Sequence, residues 1–353
     1  MTHRLAARAA ALLLLLPAVA RGADRPCAFE GVERVVAVGD VHGAYDRYVA
    51  LLRAAGLVDG KQKWKGGKAH LVQVGDVVDR GPDSRKVLDL LKKLEGQAEK
   101  AGGRVHLLIG NHEVMRMLGD RRYAHPGEYA AFATGRSKEL RERALERVPE
   151  AERERVRAET PLGLLEMAAA FGPEGHYGKW LRGLNAVVRI NGVVFLHGGI
   201  SPATGPLSCE DINATIRNEI AGDLLAAGLP PGNFTTREDG PLWYRGLARE
   251  PETFAPTLDA ILLGQKARAI VVGHTVSQDG TVKVRFGGKV LTIDTGMQTA
   301  YVPTGTATAV EIVGDTVTAV DEKGRRTALG RVPDPPAPTA AGSGSSRTRS
   351  SPG

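Results

Sequence analysis

The chain has 353 residues, 42% of them hydrophobic, which is enough apolar material for one large domain or two small ones. The formal net charge is +7, but residues 1–20 carry +2 and residues 325–353 carry +4, which leaves residues 21–324 at +1. A nearly neutral body lacks the basic surface that nucleic-acid binding needs, so we expect no nucleic-acid partner.

Both ends of the chain differ in composition from the body. Residues 1–20 combine two arginines, a short apolar run and an Ala-Val-Ala ending, which is typical of a secretory signal peptide. The run is shorter than the roughly 20 apolar residues of a membrane span, so we expect a periplasmic or secreted protein without stable membrane insertion. An uncleaved anchor is the alternative. Residues 333–353 are rich in Pro, Ala, Ser, Gly and Thr, which predicts a disordered tail.

Cys27 and Cys209 are the only cysteines of the chain. In an oxidising compartment they could form one disulfide, provided that their Cα atoms approach closely enough. The sequence by itself does not decide this, and two unpaired thiols are the slightly favoured alternative. Neither cysteine has a second Cys or His at zinc-knuckle spacing, so we expect no metal there.

The first half of the chain alternates predicted strands and helices. Apolar strands are predicted at residues 33–38, 71–74 and 104–109, with amphipathic helices at residues 45–55 and 84–99 between them. The order β-α-β-α-β favours parallel strands joined by right-handed crossovers.

Residues 114–182 interrupt this alternation. Residues 139–159 within them are crowded with Arg and Glu at helical spacing, which predicts a helical insertion. A solvated cap without a chemical role is the favoured interpretation, and a lid that shapes access to the site is the alternative.

The second half of the chain predicts antiparallel hairpins. Pairs of apolar strands flank three turns, Asn191-Gly192, Gly287-Gly288 and Gly314-Asp315. A parallel half followed by an antiparallel half indicates an α/β protein with two stacked mixed sheets and flanking helices. We expect the folded domain to cover residues 28–325.

Five predicted strands end in short Gly-flanked segments that carry Asp, Asn or His. Ligands bind at the carboxyl ends of strands in open α/β sheets, which makes these residues candidates for one site. Oxygen and imidazole donors without a thiolate suit Mn, Fe or Zn, and six donors exceed what one tetrahedral ion needs. Two ions sharing a bridging carboxylate is the simplest interpretation, and such a pair suits displacement at phosphorus. The six candidates are Asp40, His42, Asp76, Asn111, His197 and His274.

Together these segments resemble the PPP-type, calcineurin-like metallophosphoesterases over about residues 33–320. The motifs that carry the resemblance are Gly39–Gly43 (GDVHG), Gly75–Gly81 (GDVVDRG), Gly110–Glu113 (GNHE), His197–Gly199 (HGG) and Gly273-His274 (GH). The resemblance implies a metallophosphoesterase β-sandwich flanked by helices. It implies one metal ion held by Asp40, His42 and Asp76, and a second held by Asp76, Asn111, His197 and His274.

The remaining motif residues are candidates for catalysis and phosphate binding. A leaving alkoxide needs a proton, and His112 beside Asn111 is the candidate general acid. Asp79 would orient His112, as an Asp–His pair does in other hydrolases. Arg80 offers a rigid fork to phosphate oxygens, which Asn111 would also contact. The alternative roles for Asp79 and Arg80 are a charge at a helix N-terminus and a surface cation.

Two departures narrow the resemblance within the family. Residues 241–246 (PLWYRG) stand where the eukaryotic Ser/Thr phosphatases have Leu-Trp-Ser-Asp-Pro, and Asp79 stands where the symmetrical diadenosine tetraphosphate hydrolases have Ala. With the helical insertion and the export signal, these features resemble the bacterial Shewanella-like protein phosphatases. Arg245 is the candidate second phosphate-binding arginine, and a surface arginine beside a packed Trp243 is the alternative.

These features predict a two-metal phosphomonoesterase that hydrolyses phosphoprotein or phosphopeptide by attack of metal-activated hydroxide. The resemblance favours phosphotyrosine, with phosphoserine and phosphothreonine as further candidates. The alternative enzyme is a nucleotide or dinucleotide-polyphosphate hydrolase. A phosphate-binding pseudophosphatase is the non-enzymatic alternative, and the complete ligand set with His112 argues against it.

Overall fold

The computed structural model describes residues 25–337, which form two mixed six-stranded sheets with helices around them. The predicted fold class is confirmed. The predicted signal peptide and the tail beyond residue 337 lie outside the described residues. No helix within residues 25–337 combines the length and the apolar character needed to cross a bilayer.

The strands of the described residues are numbered in chain order. They are β1 (Ala28–Phe29), β2 (Arg34–Val38), β3 (His70–Gln73), β4 (Arg104–Leu107), β5 (Val187–Ile190), β6 (Val193–Leu196), β7 (Ala269–Val272), β8 (Lys283–Arg285), β9 (Val290–Thr292), β10 (Thr308–Val313), β11 (Thr316–Asp321) and β12 (Arg326–Arg331).

The helices are numbered in the same way. They are α1 (Tyr45–Ala54), α2 (Ser84–Lys100), α3 (Asn111–Met117), α4 (Pro126–Phe132), α5 (Ser137–Leu145), α6 (Arg153–Glu159), α7 (Leu164–Phe171), α8 (His176–Arg182), α9 (Cys209–Ile220), α10 (Leu224–Ala227), α11 (Gly246–Arg249) and α12 (Ala255–Gly264). Short 3₁₀ turns occur at Glu150–Glu152, Glu252–Phe254 and Phe286–Gly288.

The first sheet has the strand order β12-β11-β10-β2-β3-β4. Strands β2, β3 and β4 are parallel, with Val35 opposite His70 and His70 opposite Arg104. The C-terminal hairpin returns to this sheet, because β10 pairs antiparallel with β2. Strand β12 pairs with β11 and carries the sheet beyond residue 325, so the predicted end of the domain is too early.

The second sheet has the strand order β1-β5-β6-β7-β9-β8. The hairpins around Asn191-Gly192 and Gly287-Gly288 form its antiparallel pairs, and β7 lies parallel to both β6 and β9. All of residues 114–182 that adopt regular structure are helical, from α3 to α8. Residues 114–182 therefore connect β4 of the first sheet to β5 of the second sheet.

The core has two layers because side chains alternate along each strand. Val35 and Ala37 of β2 lie between the sheets with Phe195 of β6, whereas Val36 and Val38 pack with residues of the covering helices. Burying one such Val or Leu side chain stabilises a fold by about 1.5–3 kcal/mol. Both faces of the strands are thus buried, which holds the strand ends in fixed positions.

A disulfide joins Cys27 to Cys209, and their Cα atoms lie 6.2 Å apart. The favoured expectation of two unpaired thiols is therefore wrong. Strand β1 pairs with β5 at Ala28 and Arg189, and Asn213 of α9 accepts the backbone N–H of Val187 at 3.0 Å. Both cysteines are thus fixed to the same strand, a relation that sequence spacing does not reveal.

Candidate metal centre

The predicted ligands converge around the carboxylate of Asp76, which follows β3. Its Oδ2 atom lies 3.7 Å from His42 Nε2, 3.2 Å from His197 Nε2 and 3.8 Å from His112 Nε2. Two groups of potential metal donors share this residue, one with His42 and His112 and one with His197 and His274. Asp76 is 1% exposed. It is the residue that the two groups have in common.

The loops that carry these residues have an unusual backbone. His42, Asp76, Asp79, Arg80 and His274 all have positive φ, between 47° and 68°. Non-glycine residues rarely adopt this conformation, which costs about 1–3 kcal/mol each and collects at functional sites. The surrounding fold therefore holds these five side chains against their local preference.

Glycines and backbone hydrogen bonds hold neighbouring loops together. The N–H groups of Val41 and His42 both donate to the carbonyl oxygen of Asp76 at 3.0 Å. A Cβ atom on Gly110 would overlap the Asp76 carboxylate. The Gly-flanked motifs are thus required by close packing of the strand ends.

His42 and Asp40 form one side of the site. His42 Nδ1 is fixed by a 2.8 Å hydrogen bond to the carbonyl oxygen of Val78, which directs Nε2 towards the Asp40 and Asp76 carboxylates. Asp40 Oδ2 lies 3.8 Å from His42 Nε2. Burial and the nearby His112 lower the pKa of His42 to about 3, so its ring is neutral and suited to bind a metal.

His197, His274 and Asn111 form the other side. His197 Nδ1 donates to the carbonyl oxygen of Val74 at 2.9 Å. Its Nε2 lies 2.8 Å from Asn111 Oδ1 and 3.0 Å from His274 Nδ1. Burial and the charge of His197 hold the pKa of His274 well below its usual range. The structure thus brings all six predicted ligands together.

Asp294, which none of the sequence motifs marked, adds a further buried carboxylate beside the predicted ligands. Burial raises its pKa, and burial together with the charges of Asp294 and Asp76 raises the pKa of Asp40 well above the usual range. Asp294 follows the apolar strand β9 and precedes Gly296, so the strand-end pattern used for the other ligands was present there too.

This donor set fits a pair of metal ions. Buried carboxylates that repel one another are stabilised by cations. His42 and His197 are fixed through Nδ1 and direct Nε2 towards the site, whereas His274 is held through Nε2 by the carbonyl oxygen of Trp243 and directs Nδ1 there. Asp40, His42 and Asp76 would hold one ion, and Asp76, Asn111, His197 and His274 would hold the other. Bound there, divalent ions supply Lewis-acid polarisation and an activated nucleophile.

His112 lies beside the ligands but is engaged differently. Its Nδ1 atom lies 2.7 Å from Asp79 Oδ2, and both residues are buried. Burial lowers the pKa of His112, but the charges of Asp76 and Asp79 outweigh this and raise it above the usual value. A protonated imidazole held in this way can donate a proton.

Glu113, the last residue of the GNHE motif, ties the loops around the ligands together. Its carboxylate accepts hydrogen bonds from the backbone N–H groups of Asp76, Val77 and Gly110 at 2.8–2.9 Å. Glu113 is fully buried. Sequence analysis assigned it no role, although its place in the motif marked it.

A cavity of about 420 Å³ opens over the ligands and is lined by both predicted phosphate-binding arginines. The Arg80 guanidinium lies 3.6 Å from the ring centre of Tyr301 and 5.0 Å from that of Tyr123. Arg245 donates to the carbonyl oxygen of His274 and, at 3.3 Å, to Thr275 Oγ1. Neither arginine is a free surface cation, and Tyr123 and Tyr301 were missed by sequence analysis.

The protein has two stacked mixed sheets, and Asp, Asn and His side chains at the strand ends lie around one shared carboxylate. This combination of fold and site defines a metal-dependent phosphoesterase. The profile of one family, "Calcineurin-like phosphoesterase", matches residues 33–278. The chain belongs to the calcineurin-like phosphoesterase family, and the resemblance found in the sequence motifs is confirmed.

Individual members of this family are similar to the chain over most of its length. An uncharacterized protein of Schizosaccharomyces pombe is 35% identical over 286 residues, covering 76% of this chain and 74% of that protein. Shewanella-like protein phosphatase 2 of Arabidopsis thaliana is 31% identical over 290 residues, covering 76% and 72%. The crystal structure of a cold-active protein-tyrosine phosphatase of a psychrophilic Shewanella species is 31% identical, with a TM-score of 0.68 and coverage of 86% and 82%.

Proposed function

We propose that the protein is a phosphoprotein phosphatase with two metal ions, and that it prefers phosphotyrosine. The observation that carries this proposal is in the cavity, where the rings of Tyr123 and Tyr301 both lie against the Arg80 guanidinium. A phosphate held by Arg80 would place an attached aromatic ring beside these two rings. Aromatic pairs contribute about 0.5–1.5 kcal/mol beyond the area they bury.

The chain's own residues account for substrate binding and proton transfer. Arg80 offers two parallel N–H groups to the phosphate, and Arg245 lines the same cavity from the opposite sheet. His112 would donate the proton on Nε2 to the leaving oxygen, while its Nδ1–H stays bound to Asp79. We assign the ligand positions to Mn, Fe or Zn, because the donors are oxygens and imidazoles without a thiolate.

The similarity to a protein-tyrosine phosphatase and to a Shewanella-like protein phosphatase supports a phosphoprotein substrate. The test is a comparison of kcat/KM for a phosphotyrosine peptide, the matched phosphoserine peptide and diadenosine tetraphosphate, with the enzyme in Mn, Fe and Zn forms. We expect the phosphotyrosine peptide to be hydrolysed fastest. A preference for phosphoserine would refute the substrate assignment, and comparable hydrolysis of diadenosine tetraphosphate would favour the nucleotide alternative.

We also propose that the protein is exported to the periplasm or secreted. The disulfide between Cys27 and Cys209 supports this, because disulfides persist mainly in oxidising compartments. Mass spectrometry of the native protein should find a mature N-terminus near Arg21. A native protein that retains Met1 would contradict the proposal.

A further inference from the structure

Asp79 is fixed by three independent contacts, and two of them come from residues that no motif marked. One carboxylate oxygen of Asp79 lies 2.7 Å from His112 Nδ1, and the other accepts a hydrogen bond from Arg116. The backbone N–H of Asp79 donates to Glu128 Oε1 at 3.2 Å. Glu128 Oε2 in turn lies 3.0 Å from Arg116 Nη2, which closes the network.

All four side chains are buried to a degree that is unusual for charged groups. Exposure is 1% for Asp79 and Glu128, 3% for His112 and 5% for Arg116. Charged residues are almost never buried this deeply unless they are paired. Arg116 pairs with the carboxylates of both Asp79 and Glu128, and His112 contacts the remaining oxygen of Asp79.

The two unmarked residues belong to the helical insertion. Arg116 lies in α3 and contacts Met167 and Phe171 of α7, with its guanidinium carbon 5.7 Å from the Phe171 ring centre. Glu128 lies in the first turn of α4 and also accepts the backbone N–H of His125 at 2.9 Å. A capping glutamate needs no burial and no contact with Asp79. Glu128 is buried and also contacts Asp79, so it does more than cap the helix.

We propose that Arg116 and Glu128 are positioning residues, which hold the Asp79 carboxylate so that His112 presents its Nε2 proton to the leaving oxygen. On this proposal the helical insertion is part of the proton-donating apparatus, in place of the favoured expectation of a cap without a chemical role. Asp79 has a φ of 68°, a strained value that a carboxylate held on both oxygens and at its N–H can maintain. This inference rests on the proposed role of His112.

The test compares a leaving group that needs a proton with one that does not. Arg116→Gln and Glu128→Gln should each lower kcat for a phosphoserine peptide by roughly 10- to 100-fold, as loss of an orienting partner does elsewhere. Turnover of p-nitrophenyl phosphate, KM and the content of both metals should change little. Arg116→Lys keeps the positive charge but lacks the planar guanidinium with its paired N–H donors, so it should retain more activity than Arg116→Gln.

A matched control comes from another ion pair of the insertion. Arg157 contacts Glu142 at 2.8 Å and does not line the cavity. Arg157→Gln should leave both substrates unaffected. Equal losses on the two substrates, loss of metal, or no loss at all in Arg116→Gln would overturn the proposal. Should Arg116→Gln fail to fold, the near-isosteric Glu128→Gln decides by the same criteria.

A double mutant distinguishes a failure of the positioning role of Arg116 from a failure of the proposed role of His112. In a His112→Asn background, Arg116→Gln should cause no further loss on the phosphoserine peptide, because the group it positions is gone. A full additional loss would show that Arg116 acts elsewhere and would overturn the inference. If His112→Asn alone shows no selectivity between the substrates, the proposed role of His112 fails instead.

Discussion

The strand-end loops and the helical insertion contribute to the same cavity in different ways. The loops carry the candidate metal ligands on strained backbone, as at His42 and Asp76, and glycines allow neighbouring strand ends to touch. The insertion supplies Arg116 and Glu128 from ordinary helices, through side chains that reach Asp79. The close approach of the loops requires glycines that leave a motif in the sequence, whereas Arg116 and Glu128 lie outside every such motif.

The largest expected effect comes from replacing Asp76, the carboxylate that both groups of potential metal donors share. Asp76→Asn should abolish metal binding and turnover together, because one residue serves both groups of donors. Metal analysis and kcat measured on the same preparation check this. Asp83→Asn, a surface change that removes only an ion pair with Lys86, is the control. A variant that kept two metals and near-normal turnover would rule out the bridging role.

The next largest effect comes from removing the proposed general acid while leaving the metal ligands in place. His112→Asn should retain both ions and lose roughly 10²–10⁴-fold in the rate of phosphoserine hydrolysis. The loss should be smaller for phosphotyrosine, whose leaving phenoxide has a conjugate acid of pKa about 10, and smallest for p-nitrophenyl phosphate. Single-turnover rates on the three substrates are the measurement. Equal losses would remove His112 from the role of general acid.

A smaller effect concerns the two rings beside Arg80, one from each region. Tyr123 follows α3 in the insertion, and Tyr301 follows β9 on the side of the second sheet. Losing an aromatic pair of about 0.5–1.5 kcal/mol corresponds to roughly 2- to 10-fold, so Tyr301→Ala should lower kcat/KM for a phosphotyrosine peptide by that factor relative to the phosphoserine peptide. Tyr301→Phe keeps the ring and should behave as wild type. An unchanged ratio of phosphotyrosine to phosphoserine activity in Tyr301→Ala would argue against ring recognition.

The smallest expected effect on activity comes from a feature outside both regions. Replacing Cys27 and Cys209 by Ser removes a crosslink between residues 182 positions apart in sequence. We expect the free energy of unfolding to fall by about 2–5 kcal/mol, with kcat at 25 °C unchanged. Denaturant titration and steady-state kinetics check the two halves of this prediction. A fall in kcat together with the loss of stability would show that the disulfide at the start of α9 also influences the active site.

Much of the fold could be predicted, and the misses have physical causes. The hairpin at Asn191-Gly192 has the predicted boundaries, because a two-residue turn leaves little freedom in the strands it joins. Strand β12 was missed because Arg326–Arg331 lacks apolar alternation, and most of the strand is exposed. Its pairing with β11 is a backbone interaction that side-chain patterns do not encode.

The six ligand candidates and the fold class follow from local sequence patterns, because strands that end in Gly-flanked Asp, Asn or His constrain the backbone locally. Three other features become visible only in the folded chain: Cys27 meets Cys209, Asp294 joins the buried carboxylates, and Arg116 and Glu128 contact Asp79. Each of these depends on which segments become neighbours after folding. Such distances are set by the packing of whole sheets and helices, and no short stretch of sequence records them.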